Sequence, residues 1–179
     1  MDSNIRVNDL DFRPMISAKE IAGRVEALGA QITQDYPDQP PHFIAVLNGA
    51  FIFAADLIRA VQLDSTVGFV KLSSYSGLNS TGEVKTDLSL SPEQVKGQHL
   101  IIVEDIVDTG KTLSSFTNDL KAWEPASIKI AALLLKPEAL QHPIEVDYLG
   151  FSIPPAFVIG YGLDYDEAGR QLDAIYQKV

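Results

Sequence analysis

The stretch that decides the fold is Leu100-Ile-Ile-Val-Glu-Asp-Ile-Val-Asp-Thr-Gly-Lys-Thr112. Its first four residues form an apolar run, which is typical of a strand covered on both faces of a sheet. Two adjacent carboxylates follow the run, and then a small, hydroxyl-rich turn that is expected to enter a helix. Because ligands of open α/β sheets bind beyond the carboxyl ends of the strands, the stretch predicts both a sheet and a binding site at its edge.

Apolar runs on either side of this stretch complete the prediction of an α/β fold. They predict further strands at 42–47, 66–72 and 127–135. A helix is predicted at 50–61, and an earlier one begins at Ser17, whose spacing to Glu20 forms a capping box. Ile16 and Ile21 are placed to form the accompanying hydrophobic staple. Helices between nearly continuous apolar strands predict a mainly parallel central sheet flanked by helices.

Length and composition predict one domain without disulfides or a thiolate zinc site. The chain has 179 residues, 46% of them hydrophobic, and it contains no cysteine. The three histidines, His42, His99 and His142, are too far apart along the chain to form a local metal-ligand pair. The N-terminal residues do not resemble a signal peptide, and no apolar run reaches membrane-spanning length. We therefore expect a cytoplasmic protein that does not bind membranes.

A formal net charge of -10 disfavours nucleic-acid binding, because a phosphate backbone would be repelled. A small anionic ligand would need a local pocket of amides, cations and a metal. The turn at 109–112 could supply such a pocket, since its backbone N–H groups and hydroxyls would lie at a helix N-terminus. Glu104 and Asp105 would be repelled by a phosphate, so we expect them to accept hydrogen bonds from hydroxyls or to help hold a cation.

Two alternatives compete with this interpretation of the turn. In the first, the acidic residues merely end a strand and Asp108 caps the following helix. Three carboxylates within five residues would then repel one another without any compensation. In the second, Gly110-Lys111-Thr112 is the end of a P-loop motif, but Asp105 stands where that motif requires glycine.

Residues 103–112 resemble the phosphoribosyl pyrophosphate motif of the hypoxanthine-guanine phosphoribosyltransferases. Further motifs of that family follow in order along most of the chain: a pyrophosphate loop at 47–49, lid residues at 74–75 and 80–82, a base-recognition lysine at 136 and a purine-binding segment at 157–165. The resemblance implies a type I phosphoribosyltransferase fold in a single domain, 1–179. It places the core at 17–140, a small hood at 1–16 and 141–179, and a mobile lid at 73–90.

The resemblance implies an enzyme of purine salvage. It would transfer the 5-phosphoribosyl group from phosphoribosyl pyrophosphate to hypoxanthine, and to guanine, giving IMP or GMP and pyrophosphate with Mg²⁺ as cofactor. Relatives of this kind assemble as homodimers or homotetramers, so a homo-oligomer is expected. The alternative is a regulatory nucleotide- or RNA-binding protein of the same superfamily, which would favour a basic face that this acidic chain does not predict.

The same resemblance implies a role for each site residue. The ribose and its 5-phosphate are expected to contact Glu104, Asp105, Asp108, Thr109, Gly110, Lys111 and Thr112. Pyrophosphate is expected at Leu47, Asn48, Gly49 and Arg170. The purine is expected at Lys136, Phe157 and Val158. Magnesium is expected near Asp164, Glu104 and Asp105. Ser74 and Tyr75 are expected to form the lid.

The catalytic residue implied by the resemblance is Asp108, which would handle the proton on purine N7. Lys136 would donate to the exocyclic 6-oxygen and so favour hypoxanthine or guanine over adenine. Phe157 would stack on the base. The chain departs from the family at Asn48, where a lysine is frequent beside a peptide bond that is commonly cis, and at Ala156, where a polar or charged residue is frequent.

Overall fold

The predicted α/β sheet is present in a computed structural model that describes residues 3–73, 85–88 and 90–179. Its strands are β1 (Ile5–Val7), β2 (Leu10–Ile16), β3 (His42–Leu47), β4 (Thr66–Ser73), β5 (Lys85–Leu88), β6 (His99–Val107), β7 (Ser127–Leu135), β8 (Tyr148–Ser152), β9 (Val158–Ile159) and β10 (Ile175–Lys178). Its α-helices are α1 (Ala18–Asp35), α2 (Phe51–Ala60), α3 (Pro92–Val95) and α4 (Lys111–Lys121). None of these helices is both long and apolar enough to cross a bilayer.

The central sheet has the strand order β5-β4-β3-β6-β7-β8, and every pairing except β4 with β5 is parallel. Alternate residues of the inner strands enter two different cores. Phe43 and Val103 face α1 and α2, whereas Ile44 and Ile102 face α4. This two-sided burial explains the continuous apolar runs, and the predicted mainly parallel sheet flanked by helices is confirmed.

The start of α1 follows the sequence prediction closely. The Glu20 N–H donates to Ser17 Oγ at 3.3 Å, and the Ser17 N–H donates to Glu20 Oε2 at 2.9 Å, which completes the capping box. Ile16 and Ile21 on either side of the cap are buried in the same core cluster. The helix thus begins where local capping chemistry and burial agree.

The end of β6 differs from the sequence interpretation in two respects. The strand does not stop before the carboxylates, because the ladder with β7 continues through Glu104 to Val107, which lies opposite Leu135. The alternative in which Asp108 caps the next helix is wrong, because the N-cap of α4 is Gly110 with a φ of 76°. Glycine adopts this left-handed conformation without a Cβ clash, and the Asp108 carboxylate is thereby left for other contacts.

A second, antiparallel sheet joins the two ends of the chain in the order β1-β2-β10-β9. It buries Phe12, Ile159 and Tyr176 in a core of its own. Val158 of β9 pairs with Gln177, so this sheet fixes the segment that was predicted to bind the purine. The expected hood formed by N- and C-terminal segments is confirmed, except that β8, which lies within the predicted 141–179 segment, belongs to the central sheet instead.

His42, at the start of β3, is a histidine held in a buried position. Its Nδ1 lies 2.7 Å from Thr66 Oγ1, and its Nε2 is buried without a hydrogen-bond partner among the described residues. Gly68 lies close to this ring, because a Cβ added at Gly68 would be only 3.1 Å from His42 Nε2. Burial lowers the pKa of His42 below its ordinary value of 6.5.

The pKa of His42 leads to a pH-dependent stability. The unfolded chain protonates this histidine near pH 6.5, whereas the folded chain does so only at lower pH. The contribution of His42 to the free energy of unfolding is therefore fully present above about pH 7 and falls as the pH drops below about 6.5, by at most about 1.4 kcal/mol per pH unit. His42→Gln should flatten this dependence in urea unfolding between about pH 7.5 and 5.5.

His142→Gln is the matched control, because it removes one histidine from a partly exposed loop. We expect it to keep the pH dependence of the wild-type chain. An unchanged slope in the His42→Gln variant would contradict a buried, neutral His42.

Candidate active site

Two adjoining clefts lie at the carboxyl edge of the central sheet. The larger, with a volume of about 340 Å³, is lined by the phosphate turn at 108–112, the loop at 47–49, and Glu104, Asp105, Asp164 and Arg170. The smaller, about 270 Å³, is lined by Lys136, Phe157 and Val158. Both clefts share the same four lining residues, Asp105, Ile106, Asp108 and Asp164. The fold thus brings the predicted phosphate and purine residues side by side.

Glu104 and Asp105 form a hydrogen-bonded acidic pair between the clefts. Burial raises the pKa of Glu104 well above its usual range, and the adjacent Asp105 carboxylate adds to the rise. Burial also raises the pKa of Asp105, although its hydrogen bonds from Glu104 and from the Ile106 N–H act in the opposite direction. Burial and the neighbouring carboxylate thus both disfavour the charged form of Glu104.

One carboxyl oxygen of this pair makes no hydrogen bond to the described residues. Glu104 Oε2 is enclosed and has no hydrogen-bond partner among the described residues. A buried acceptor without a partner is costly, so it indicates a place where a ligand hydroxyl or a cation would be stabilised. This agrees with the expectation that a cation or ligand hydroxyls offset the repulsion among these carboxylates.

The loop at 47–49 is packed tightly between the carboxyl pair and the hood segment. The Asp105 carboxylate lies directly against the Cα of Gly49, and Gly162 lies against the Gly49 carbonyl oxygen. Gly162 has a φ of 106°, a left-handed conformation that favours glycine. The Leu47–Asn48 peptide bond is cis. Neither glycine position leaves room for a Cβ, so the backbone itself forms the wall of the cleft.

Arg170 is anchored where it faces this loop. Its Nη2 lies 2.8 Å from Asp164 Oδ1, and its Nη1 donates to the Gly162 carbonyl at 2.9 Å. The Glu167 N–H donates to Asp164 Oδ2 at 2.9 Å, while the Arg170–Glu167 ion pair is longer, at 3.6 Å. Spacing along the chain would by itself suggest a surface arginine paired with Asp166 or Glu167. Its main partner is instead Asp164, and both side chains are largely buried.

Lys136 and Asp108 form an ion pair that joins the two clefts. The Nζ–Oδ2 distance is 2.8 Å, and the lysine side chain is only 13% exposed, whereas Asp108 is 50% exposed. The pair follows from the sheet register, because Val107 lies opposite Leu135 and the next residue of each strand meets just beyond the ladder. Sequence reasoning assigned both residues to the site but did not predict that they pair.

The phosphate turn is supported by a segment that sequence reasoning missed. The Thr109 carbonyl accepts the N–H groups of Gln141 at 3.0 Å and His142 at 3.1 Å. The His142 carbonyl in turn packs against Gly110. These contacts join residues about thirty positions apart through backbone atoms, so no local side-chain pattern could have revealed them.

Two aromatic residues of the hood, Phe12 and Tyr165, pack against the Phe157 ring that lines the smaller cleft. Phe157 is 45% exposed, and its ring stands almost perpendicular to Tyr165 at 5.8 Å and tilted to Phe12 at 6.3 Å. Tyr165 is fixed by a 2.7 Å hydrogen bond to Asp9. These hood residues therefore support the ring of Phe157, which was predicted to stack on the base. The predicted lid residues Ser74 and Tyr75 lie outside the described residues.

A profile of the phosphoribosyl transferase domain matches residues 15–166. A hypoxanthine phosphoribosyltransferase of Escherichia coli is 43% identical over 164 residues, which cover 90% of this chain and 92% of that protein. A hypoxanthine-guanine phosphoribosyltransferase of Streptococcus pneumoniae is 41% identical, covering 94% and 93%. The crystal structure of a hypoxanthine-guanine phosphoribosyltransferase from Bacillus anthracis superposes with a TM-score of 0.86 at 36% identity, covering 93% and 96%.

Fold, site and relatives agree on one class of protein. The chain belongs to the phosphoribosyltransferase family, and within it to the hypoxanthine-guanine group. The resemblance inferred from the sequence motifs is thereby confirmed. The regulatory nucleotide- or RNA-binding alternative finds no support among these relatives, all of which are named as enzymes.

The packing of Asp105 on Gly49 can be tested directly. Gly49→Ala would place a methyl group where the carboxylate lies. We expect it to weaken binding of phosphoribosyl pyrophosphate about 10- to 100-fold in titration calorimetry, because a displacement of about an ångström misaligns the site. Gly23→Ala in α1 is the control, since a Cβ there meets nothing within 4 Å. Equal affinities in both variants would contradict this account of the loop.

Proposed function

We propose that the chain transfers the 5-phosphoribosyl group from phosphoribosyl pyrophosphate to hypoxanthine, and to guanine, in purine salvage. The observation that carries the proposal is the pair of clefts that share Asp105, Ile106, Asp108 and Asp164. One cleft offers amides and hydroxyls suited to phosphates, and the other offers an ammonium and an aromatic ring suited to an oxopurine. A reaction between two substrates requires this adjacency.

In this proposal the 5-phosphate binds the turn at 109–112. Gly110 adopts a left-handed conformation at the N-cap of α4, so the N–H groups of the first helical turn face the larger cleft. A helix N-terminus stabilises an anion through these groups and through its dipole. The ribose hydroxyls donate to Glu104 and Asp105, which supply the acceptor oxygens that the buried pair otherwise leaves without a partner.

Pyrophosphate is assigned to the loop at 47–49 and to Arg170. Asn48 brings no positive charge, so the backbone amides of the loop and the Arg170 guanidinium are the groups that remain for an anion. Arg170 already faces Asp164, which lowers the net positive charge it offers. Charge that develops on the leaving pyrophosphate therefore calls for a further cation.

Magnesium is proposed at the oxygen donors of this cleft, where the described residues form no cluster of three acidic or histidine ligands and the substrate would have to supply the remaining ligands. Glu104, Asp105 and Asp164 all line it, and carboxylates are preferred Mg²⁺ ligands. When bound, the ion would neutralise charge on the leaving group. Asp164 would have to share its oxygens between the ion, Arg170 and the Glu167 N–H, so we expect it to contact the ion through one oxygen or through water. Ser74 and Tyr75 are proposed to shield the reacting centre from water.

Base recognition is assigned to Lys136, Phe157 and Val158. The Lys136 ammonium can only donate hydrogen bonds. It can therefore bind the 6-oxygen of hypoxanthine or guanine, which accepts them, but not the 6-amino group of adenine, which is itself a donor. Its ion pair with Asp108 places a carboxylate next to the base pocket, where that carboxylate takes the proton on purine N7. Val158 presents backbone groups at the base edge, and Phe157 offers its ring for stacking.

The assembly and location of the enzyme are part of the proposal. A homodimer or homotetramer is supported by two large apolar side chains that are exposed to solvent, Phe51 at 44% and Val67 at 42%. A cytoplasmic location is supported by a chain without cysteine. No nucleic-acid partner is proposed for a chain of net charge -10.

The test of the function is product formation from phosphoribosyl pyrophosphate and Mg²⁺ with hypoxanthine, guanine, xanthine, adenine, uracil and orotate offered separately. We expect turnover only with 6-oxopurines, and loss of that turnover when EDTA removes the metal. Turnover of adenine or a pyrimidine would contradict the role of Lys136. No turnover with any base would contradict the enzymatic proposal, and activity that persists in EDTA would contradict the magnesium assignment.

Asp108→Asn tests the catalytic assignment. We expect kcat to fall about 100- to 10,000-fold, because an amide cannot take the N7 proton. The thermal unfolding midpoint should fall only modestly, since the side chain is half exposed and does not cap α4, although the variant removes the charge partner of Lys136. Asp119→Asn on the exposed face of α4 is the matched control and should leave both quantities unchanged. A parallel loss of stability and activity in Asp108→Asn would mean that the residue is structural.

A further inference from the structure

The turn that links the purine segment to Asp164 has an unusual backbone. Gly160, Tyr161 and Gly162 are consecutive residues with positive φ values of 102°, 49° and 106°. Glycine adopts such values freely, but a bulky aromatic residue rarely does. A left-handed tyrosine persists only when its surroundings hold it there, and such residues cluster at functional sites. The contacts of Tyr161 should therefore show which part of the site this turn positions.

Tyr161 is tied to a helix of the central domain. Its side chain is 7% exposed and belongs to the main core, and its hydroxyl donates to Asp56 Oδ2 on α2 at 2.6 Å. Burial raises the pKa of Tyr161, and the hydrogen bond to Asp56 adds to the rise, so the hydroxyl stays protonated as the donor. The Asp56 carboxylate also lies 3.5 Å from Arg59 on its own helix.

The residue after Tyr161 lies directly on the pyrophosphate loop. Gly162 packs against the Gly49 carbonyl, its N–H donates to the Arg170 carbonyl at 3.0 Å, and its own carbonyl accepts from Arg170 Nη1 at 2.9 Å. The position of Gly162 therefore sets the position of Arg170, and through it that of Asp164, above the loop.

Helix α2 links the loop at 47–49 to Asp56, the partner of Tyr161. α2 begins at Phe51, immediately after the loop at 47–49, and it bears Asp56 on its second turn. The Tyr161–Asp56 hydrogen bond thus closes a ring that runs from the loop into α2, across to the turn and back to Gly49. Loss of that bond would let the turn shift relative to the loop.

Most of the purine side of the site is fixed independently of this ring, although Asp164 lines both clefts. Val158 and Ile159 are fixed by their pairing with Gln177 and Tyr176 of β10. Lys136 stands at the end of β7 and is held by its own backbone bond to the Val107 carbonyl at 3.0 Å. A change at Tyr161 should therefore weaken the binding of pyrophosphate much more than the binding of the base.

We propose that Tyr161 and Asp56 are positioning residues for the pyrophosphate subsite, a role that rests on the function proposed above. The hydrogen bond between them holds Gly162, Arg170 and Asp164 in register with the loop at 47–49. Neither side chain lines the clefts, so they act through the residues that do. The consequence is a selective effect on phosphoribosyl pyrophosphate and pyrophosphate.

Tyr161→Phe and Asp56→Ala test this role by steady-state kinetics. We expect each to raise KM for phosphoribosyl pyrophosphate about three- to tenfold, while KM for hypoxanthine changes less than about twofold. The double variant should be no worse than either single one, because both remove the same bond. Asp56→Asn keeps an acceptor oxygen for the tyrosine hydroxyl and should restore nearly wild-type values.

Tyr148→Phe is the matched control, because it also removes a tyrosine-to-aspartate hydrogen bond, that between Tyr148 and Asp35 at 2.7 Å, and neither residue lines a cleft. It should lower the thermal unfolding midpoint and leave both KM values unchanged. Equal rises of both KM values in Tyr161→Phe, or a KM for phosphoribosyl pyrophosphate that stays at the wild-type value, would overturn the inference.

Calorimetric titration with inorganic pyrophosphate and Mg²⁺ separates this inference from the proposed function. Weaker pyrophosphate binding by Tyr161→Phe than by the wild-type chain and Tyr148→Phe would support the positioning role even if no base were turned over. Equal pyrophosphate affinities in all three proteins would overturn it, even in an enzyme that is fully active towards hypoxanthine.

Discussion

Backbone hydrogen bonds hold β6 in parallel between β3 and β7, and the site depends on this register. Because parallel strands end at the same edge, the ladder delivers the loop after β3, the acids of β6 and the lysine after β7 to one place. A shift of one residue would turn Glu104 and Asp105 to the opposite faces and would separate Asp108 from Lys136. The buried apolar faces of the strands prevent that shift.

The electrostatics of the site run against the charge of the whole chain. An acidic protein that binds anions must concentrate its positive groups, and here they are Arg170, Lys136 and the helix N-terminus at Lys111. Each of the two buried cations faces a carboxylate, which offsets the cost of burial but lowers the charge available to a substrate. Burial and the adjacent Asp105 carboxylate raise the pKa of Glu104.

The hood contributes geometry that the central sheet cannot provide. Its antiparallel strands fix Val158, while the turn at 160–162 reaches down to the loop after β3. Glycine is required at Gly49 and Gly162 because backbone atoms and a carboxylate occupy the space a Cβ would need. Two parts of the chain about 110 residues apart thus meet at van der Waals distance, which is why precise packing, rather than charge alone, shapes the pyrophosphate subsite.

The sequence by itself determined the inner strands of the sheet, the start of α1 and most of the polar residues that line both clefts, because hydrophobic periodicity and capping are local and because several motifs stood in order. The tertiary structure decided how those residues meet. It extended β6 past its carboxylates, made Gly110 rather than Asp108 the helix cap, and paired Asp108 with Lys136. The support of Thr109 by Gln141 also emerged only there. These contacts join residues far apart in the chain, and the strand register that creates them is a property of the folded sheet.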